Sequence, residues 1–294
     1  MESSDLRVFE AVLRHGNMKR AAEELNTVQS NITARVRALE LALGLPLFER
    51  HARGVTPTAA GERMRPFARQ MIKLLADAEA AARDEGPPSG PLRLGSLETT
   101  AALRLSPLLG NFARAYPAVQ LAITTGTTSE LVRDVAECRL DGAFVAGPLI
   151  HKALRQEVMF YEELVLVTAP SVNAIAELTM QDVVKTIVFR EGCSYRQRLE
   201  TVLAGAGIVT AQPMIFGSLD AIIACVGAGA GVTLLPRAVV APAVAEGRVN
   251  AHPLPPDQGR VETLFIQRQD GYVSRALAAF IGMAHAQASP SLSN

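Results

Sequence analysis

Tryptophan is absent from the 294 residues, aromatic residues make up only 5% of them, and cysteine occurs three times. Cys138, Cys193 and Cys225 are too few and too scattered for a disulfide framework or a structural zinc site, so reduced thiols are expected. His15, His51, His151, His252 and His285 show no ligand spacing, and no GxSxG nucleophile motif is present. These absences predict a protein without metal, cofactor or catalytic residues, and not an enzyme. Gly227, Gly229 and Gly231 fall between a helix and a strand, the wrong order for a dinucleotide fingerprint, so a tight turn explains them. No apolar run reaches the length of a membrane span, and acidic residues precede an amphipathic N-terminal helix where a signal peptide would be basic. A soluble, cytoplasmic protein is the expectation. Net charge is also lacking, with 29 basic residues against 29 acidic ones, which excludes a chain that is basic throughout but not a local basic field.

Such a field lies near the N-terminus. From Met18 to Leu25 the residues Ala21, Ala22 and Leu25 share one helical face, with Lys19, Arg20, Glu23 and Glu24 outward. After a three-residue break, a second helix is predicted over Gln29 to Leu41, with Ile32, Val36 and Leu39 as its buried stripe. The opposite face carries Gln29, Ser30, Thr33 and Arg37. Gln pairs with adenine, Arg with guanine or phosphate, and the helix N-terminus attracts phosphate, so this face suits a DNA major groove. The alternative is an ordinary helical hairpin with a solvated face. Two short extended runs at 44–58 then flank a basic, glycine-containing tip with Arg50 and Arg53, which reads as a wing reaching backbone or minor groove. Between Arg14 and Lys73 eleven basic residues stand against five acidic ones, an electrostatic footprint inside a neutral chain. The candidate DNA-contacting set is Lys19, Arg20, Thr27, Gln29, Ser30, Asn31, Thr33, Arg35, Arg37, Arg50 and Arg53.

Ala21-Ala22, Leu25, Gln29-Ser30, Leu39-Glu40, Leu43-Gly44, Leu47-Phe48-Glu49-Arg50 and Thr58-Ala59-Ala60-Gly61, in this order and spacing, resemble the N-terminal domain of LysR-type transcriptional regulators. One position departs: the family places a capping Ser or Thr before the recognition helix, where this chain has Val28. Thr56-Pro57-Thr58 supplies helix-start signals, and a long helix is expected from there to Glu85. Met64, Met71 and Ala78, with Phe67, Leu74 and Ala81, form two seams of a heptad pattern. A helix of about 40 Å, at ~1.5 Å per residue, outruns a small domain. Packing on its own chain is one reading. The resemblance implies the other, a linker-helix dimer that sets two recognition helices on a dyad-symmetric operator in double-stranded DNA. Met64, Phe67, Met71, Leu74 and Ala78 are its candidate contacts.

Gly86-Pro87-Pro88-Ser89-Gly90-Pro91 is the densest cluster of breakers and marks a hinge. Beyond it, strand-like runs at 92–97, 120–125, 142–146, 164–168, 186–189, 231–235 and 261–267 alternate with helical stretches, which argues for α/β units with mainly parallel sheets. The expected organisation is a winged helix-turn-helix over 1–58 (motif 18–37), a linker helix over 59–85, a hinge over 86–91 and an effector domain over 92–294. The resemblance implies that this last part is built like periplasmic binding proteins, with lobe I at 92–162 and 263–294, lobe II at 163–262, and a cleft between them.

Strand ends leading into helix starts at 95–100 and 125–129, and Phe189 to Arg196 in the second lobe, offer backbone NH groups, hydroxyls, a guanidinium and a phenol to an anion. The candidate effector contacts are Ser96, Thr99, Thr100, Thr127, Thr128, Cys193, Ser194, Arg196 and Ser218, with helix capping as the alternative role. FREGCSYR, the residues 216–219 and the run 228–236 resemble the glutamate-synthase and citrate-type regulators of the family. The partners implied are DNA, a small, anionic effector, a second copy of the chain as homodimer and homotetramer, and RNA polymerase, with no membrane. A thiol near a helix start and Arg196 is acidified and reactive, so a redox trigger at Cys193 stands as an alternative. An enzyme fused to a DNA-binding segment and a DNA binder indifferent to ligands are the others.

Overall fold

A computed structural model describes residues 1–52, 54–83 and 85–288. The chain folds as two units, the second beginning at Gly86.

In the first unit, α1 (Ser3–His15), α2 (Met18–Glu24) and α3 (Gln29–Leu43) precede a two-stranded wing, β1 (Phe48–His51) and β2 (Gly54–Pro57), and the long α4 (Ala59–Arg83). Ala21, Ala22, Ile32, Val36 and Leu39 are buried at the spacing the sequence shows, around Phe9, Val12 and Phe48. Asn17 starts α2 by accepting from the backbone NH groups of Lys19 and Arg20 at 2.8 and 3.2 Å. Gly16 and Gly44 end α1 and α3 in the left-handed conformation. The wing strands pair antiparallel from Phe48 opposite Pro57 to His51 opposite Gly54. Gly54 admits no side chain, because a Cβ there would stand 2.4 Å from the Gly16 carbonyl oxygen.

Two apolar stripes run along α4. Gly61, Met64, Ala68 and Ile72 face the unit's own core. Phe67 and Leu74 are 65% and 69% exposed, with Met71 and Leu75 beside them. Met64, expected in the outward seam, therefore belongs partly to the inward one.

In the second unit, β3 (Gly90–Ser96) is followed by a near-continuous helix of α5 (Glu98–Thr100), a π-helical turn (Ala101–Leu105) and α6 (Ser106–Ala115). Next come β4 (Val119–Thr125), α7 (Thr128–Ala136), β5 (Gly142–Ala146) and the long β6 (Leu154–Thr168). The chain continues through a 3-10 turn (Ile175–Met180), β7 (Ile187–Val188), α8 (Ser194–Gly205), β8 (Met214–Ile215), α9 (Leu219–Gly227), β9 (Thr233–Pro236), α10 (Arg237–Ala245) and β10 (Asn250–Pro253). It returns through α11 (Pro256–Gly259) and β11 (Arg260–Arg268) to α12 (Arg275–Ala288). Gly90 and Pro91, expected in the hinge, already belong to β3. Gln287 and Ala288 close α12, and the residues after Ala288 lie outside the described ones.

The sheet is mixed, which corrects the mainly parallel expectation. β3 pairs parallel with β4 and β5, but β11 runs antiparallel to both β5 and β6. The strand β6 changes partners along its length: residues 154–163 lie against β11, and residues 164–168 lie between β9 and β10. One extended segment thus belongs to both lobes, and the returning strand has to run against it. Phe112, Phe144, Phe265 and Phe280 fill the outer side of the first lobe, and Val165, Ile187, Ile222, Leu235 and Val240 fill the second.

Candidate functional site

The exposed face of α3 is built by subtraction. With Ile32, Val36 and Leu39 turned inward, Gln29, Ser30, Asn31 and Arg37 are left exposed and Thr33 half-buried. Val28 occupies the cap position in extended conformation and supplies no side-chain acceptor. Asn31 and Ile32 donate their NH groups to the Val28 carbonyl, so among the described residues those of Gln29 and Ser30 are the open donors of the first turn, the kind of group that binds phosphate. Thr27 accepts from Asn31 Nδ2 at 2.9 Å, which holds the amide in place. Lys19, Arg20 and Arg50 are exposed. Arg53 lies outside the described residues. Arg35 departs from the expected set: its guanidinium donates to Asp5 at 3.0 Å and to Ser4 at 2.7 Å, tying α3 to α1. Glu40, part of the Leu39-Glu40 pair in the sequence pattern, has a role that spacing does not reveal. Its Oε1 accepts from the backbone NH groups of Leu47 and Phe48 at 2.8 and 3.1 Å and so fixes the start of the wing to the end of α3.

In the second unit a narrow cavity of about 50 Å³ opens between the lobes. Leu97, Glu98, Thr99, Thr125, Gly126 and Thr127 line it from one side, and Phe189, Arg190, Cys193, Ser194, Tyr195 and Gly217 from the other. Thr127 begins α7 in a reciprocal cap. Its backbone NH donates to Glu130 at 2.8 Å, and its Oγ1 accepts from the Glu130 NH at 3.3 Å. The Thr127 backbone bond holds the Glu130 carboxyl below the usual range against its desolvation, helped by the Thr127 hydroxyl, Arg190 and Arg133. The lobes touch at the rim: Thr128 Oγ1 and Ser194 Oγ stand 3.5 Å apart, and the Ser129 NH donates to the Gly192 carbonyl at 3.3 Å.

Of the expected contacts, Thr99, Thr127, Cys193 and Ser194 line the cavity and Thr128 meets Ser194 at its edge. The remaining four do not line it. Ser96 is buried with its hydroxyl donating to the Leu97 carbonyl, Thr100 is buried, and Ser218 accepts from the Ala221 NH as the cap of α9. Arg196 pairs with Glu200 at 3.1 Å, one turn along α8. Two residues apart on a helix means ~200° of rotation, so Arg196 and Ser194 point to opposite sides. Arg190 is the guanidinium in the cleft. This geometry was available from spacing alone, once Ser194 is recognised as the first residue of the helix.

Thr99 Oγ1 is buried and makes no hydrogen bond of normal geometry among the described residues, though it is near enough to Tyr195 to favour the phenolate. Burial outweighs that effect and pushes the Tyr195 phenol up to about 12, so it remains a neutral donor. Cys193 caps α8, but its environment is the reverse of the acidifying one expected. Burial pushes the thiol up, against the NH groups of Arg196 and Tyr195 and the Arg196 charge. Desolvation of a thiolate wins over one helix start. Among the described residues no group of His, Cys, Asp or Glu has the arrangement to hold a metal, and no helix is long and apolar enough to cross a membrane.

Residues 3–62 match the family described as bacterial regulatory helix-turn-helix protein, lysR family, and residues 85–289 match the LysR substrate binding domain. The chain is 43% identical over 281 residues to the uncharacterized HTH-type transcriptional regulator YusT of Bacillus subtilis, covering 96% of this chain and 94% of that one. It is 41% identical over 276 residues to the HTH-type transcriptional regulator GltR of the same species, covering 94% and 93%. Among solved structures, full-length CbnR complexed with its target DNA superposes with a TM-score of 0.65 at 26% identity, covering 98% of this chain and all of that one. Full-length OxyR from Pseudomonas aeruginosa shares the fold, with a TM-score of 0.73 at 20% identity over 98% of this chain and 94% of that one. Similarity this extensive, running through both units in order, places the chain in the LysR family of DNA-binding transcriptional regulators.

Proposed function

We propose that α3 reads the operator in the major groove and that a small, anionic metabolite in the cleft controls operator binding or activation. Gln29, Ser30, Asn31, Thr33 and Arg37 offer donors and acceptors to base edges, while Lys19, Arg20, Arg50 and the open NH groups at the start of α3 hold phosphates. CbnR, similar along its whole length, has been solved on its target DNA. The exposed Phe67, Met71 and Leu74 face of α4, with Ala78 further along it, supports a homodimer that buries it, set on a dyad-symmetric site, and a homotetramer above it. RNA polymerase is the partner through which such a complex acts. The observation that carries the ligand reading is the cavity itself, lined by Thr127 at the cap of α7, by the first residues of α8 and by the buried Thr99, whose Oγ1 makes no hydrogen bond of normal geometry among the described residues. The raised thiol of Cys193 favours this reading over a redox trigger.

Arg37→Ala is expected to weaken operator binding by about 1–3 kcal/mol and to leave assembly unchanged. Fluorescence anisotropy on labelled operator and sedimentation velocity check the two halves, and unaltered affinity would move the readout off this face. A ligand that binds only the folded state raises its melting temperature. A panel of small carboxylates and amino acids against the full-length chain is therefore expected to contain at least one compound that shifts the second unit's transition in a concentration-dependent way. A flat panel would refute the metabolite reading.

A further inference from the structure

The cleft contains a charge that a simple anion does not use. Glu98, in the first turn after β3, is half-buried and lines the same cavity as Arg190, Thr127 and Ser194. Its carboxylate makes no hydrogen bond or ion pair among the described residues. Of the other acids near it, Glu130 is already occupied by the NH and hydroxyl of Thr127, and Glu162 by Arg104. A carboxylate facing a confined space repels an anionic ligand and favours one that brings a cation to it. On the opposite wall, Ser194 is the first residue of the 12-residue helix α8, where NH groups and the helix dipole favour negative charge. Arg190 adds a full positive charge on that side, shared at longer range with Glu130. Thr99, only 3% exposed, lies next to Glu98 with its hydroxyl beside the neutral phenol of Tyr195.

We infer that the ligand of this cleft is a small zwitterionic α-amino acid, with its ammonium group on Glu98 and its carboxylate on the start of α8, Ser194 and Arg190. The inference rests on the reading of this cleft as the effector site. Size points the same way. The space of about 50 Å³ exceeds the ~10–15 Å³ that admits a first water but is small for a binding cleft. A compact ligand enters that space with less opening of the lobes than a large aromatic acid needs.

The test uses matched pairs that differ only in the amino group: glycine and acetate, alanine and propionate, serine and 3-hydroxypropionate, aspartate and succinate, glutamate and glutarate. Each is titrated into the full-length chain by calorimetry. At least one amino acid is expected to bind, with its partner weaker by about tenfold or more. Glu98→Gln should weaken the amino acid by about the same factor and leave the des-amino acid unchanged or tighter. Glu98→Asp, which keeps the charge, should preserve the preference. Binding of the des-amino acids as tight as or tighter than their partners would overturn the inference and leave the effector site standing. Equal weakening of both members in Glu98→Gln would also overturn it, since that marks a structural role. If no member of any pair binds, the inference fails, and a positive result from the broader panel decides whether the effector reading fails with it.

Discussion

Replacing Phe280 by alanine is expected to lower the stability of the second unit by about 3–5 kcal/mol, the cost of a large cavity in a well-packed aromatic core. Phe280 is fully buried on α12, edge-on to Phe112 at 5.1 Å, and Phe144 in turn packs against Phe265 at 5.0 Å. These rings come from α6, β5, β11 and α12, so the loss falls where the last helix returns to the first lobe. For a unit of this size the shift in melting temperature is about 6–20 °C. Differential scanning calorimetry separates this transition from that of the first unit, which should not move. Phe280→Leu should lose much less. A shift under about 1 kcal/mol in the alanine variant would mean that the neighbouring rings collapse into the space.

The second large effect is expected at Glu40. Removing its carboxylate in Glu40→Ala leaves the NH groups of Leu47 and Phe48 without their acceptor, at a cost of about 1–3 kcal/mol for each group that stays dry. The wing then loses its tether to the recognition helix, although the Val55 NH still reaches the Gly16 carbonyl at 2.8 Å. Operator affinity should fall together with stability, even though Glu40 is not on the exposed reading face. Urea titration and anisotropy on one preparation check the pair. Glu40→Gln keeps an acceptor oxygen and should recover most of both, while Glu49→Ala, at an exposed position of β1, serves as the control. Full operator binding in Glu40→Ala would show that the wing is held without this contact.

Arg35 and Arg196 show where reasoning from residue type stopped. Each is a cation in the right neighbourhood, and each is taken by a carboxylate, Asp5 in one case and Glu200 in the other. The Glu200 pairing is legible as an i, i+4 spacing. The Asp5 pairing joins residues thirty positions apart and is set by how α1 crosses α3. Glu98 and Arg190 were missed for a related reason: they lie inside the segments 95–100 and 189–196, but nothing local distinguishes them from their neighbours there, and both matter because two lobes bring them to one cavity. The first half of β6 escaped the hydropathy pattern because Arg155, Glu157, Glu162 and Glu163 interrupt it. Its strand character depends on pairing with β11, about a hundred residues later.

What the sequence determined by itself was whatever depends on a few turns of chain. The inward stripes of α2 and α3, the outward stripe of α4 and the break before β3 all follow from side-chain spacing and backbone preference within a short window. Tertiary structure alone decided the strand directions, the division of β6 between two lobes, the tether from Glu40 to the wing, and which hydroxyls and charges share the cleft. Those features join residues far apart in the chain, where pairing, burial and the closing of the cleft outweigh any local preference.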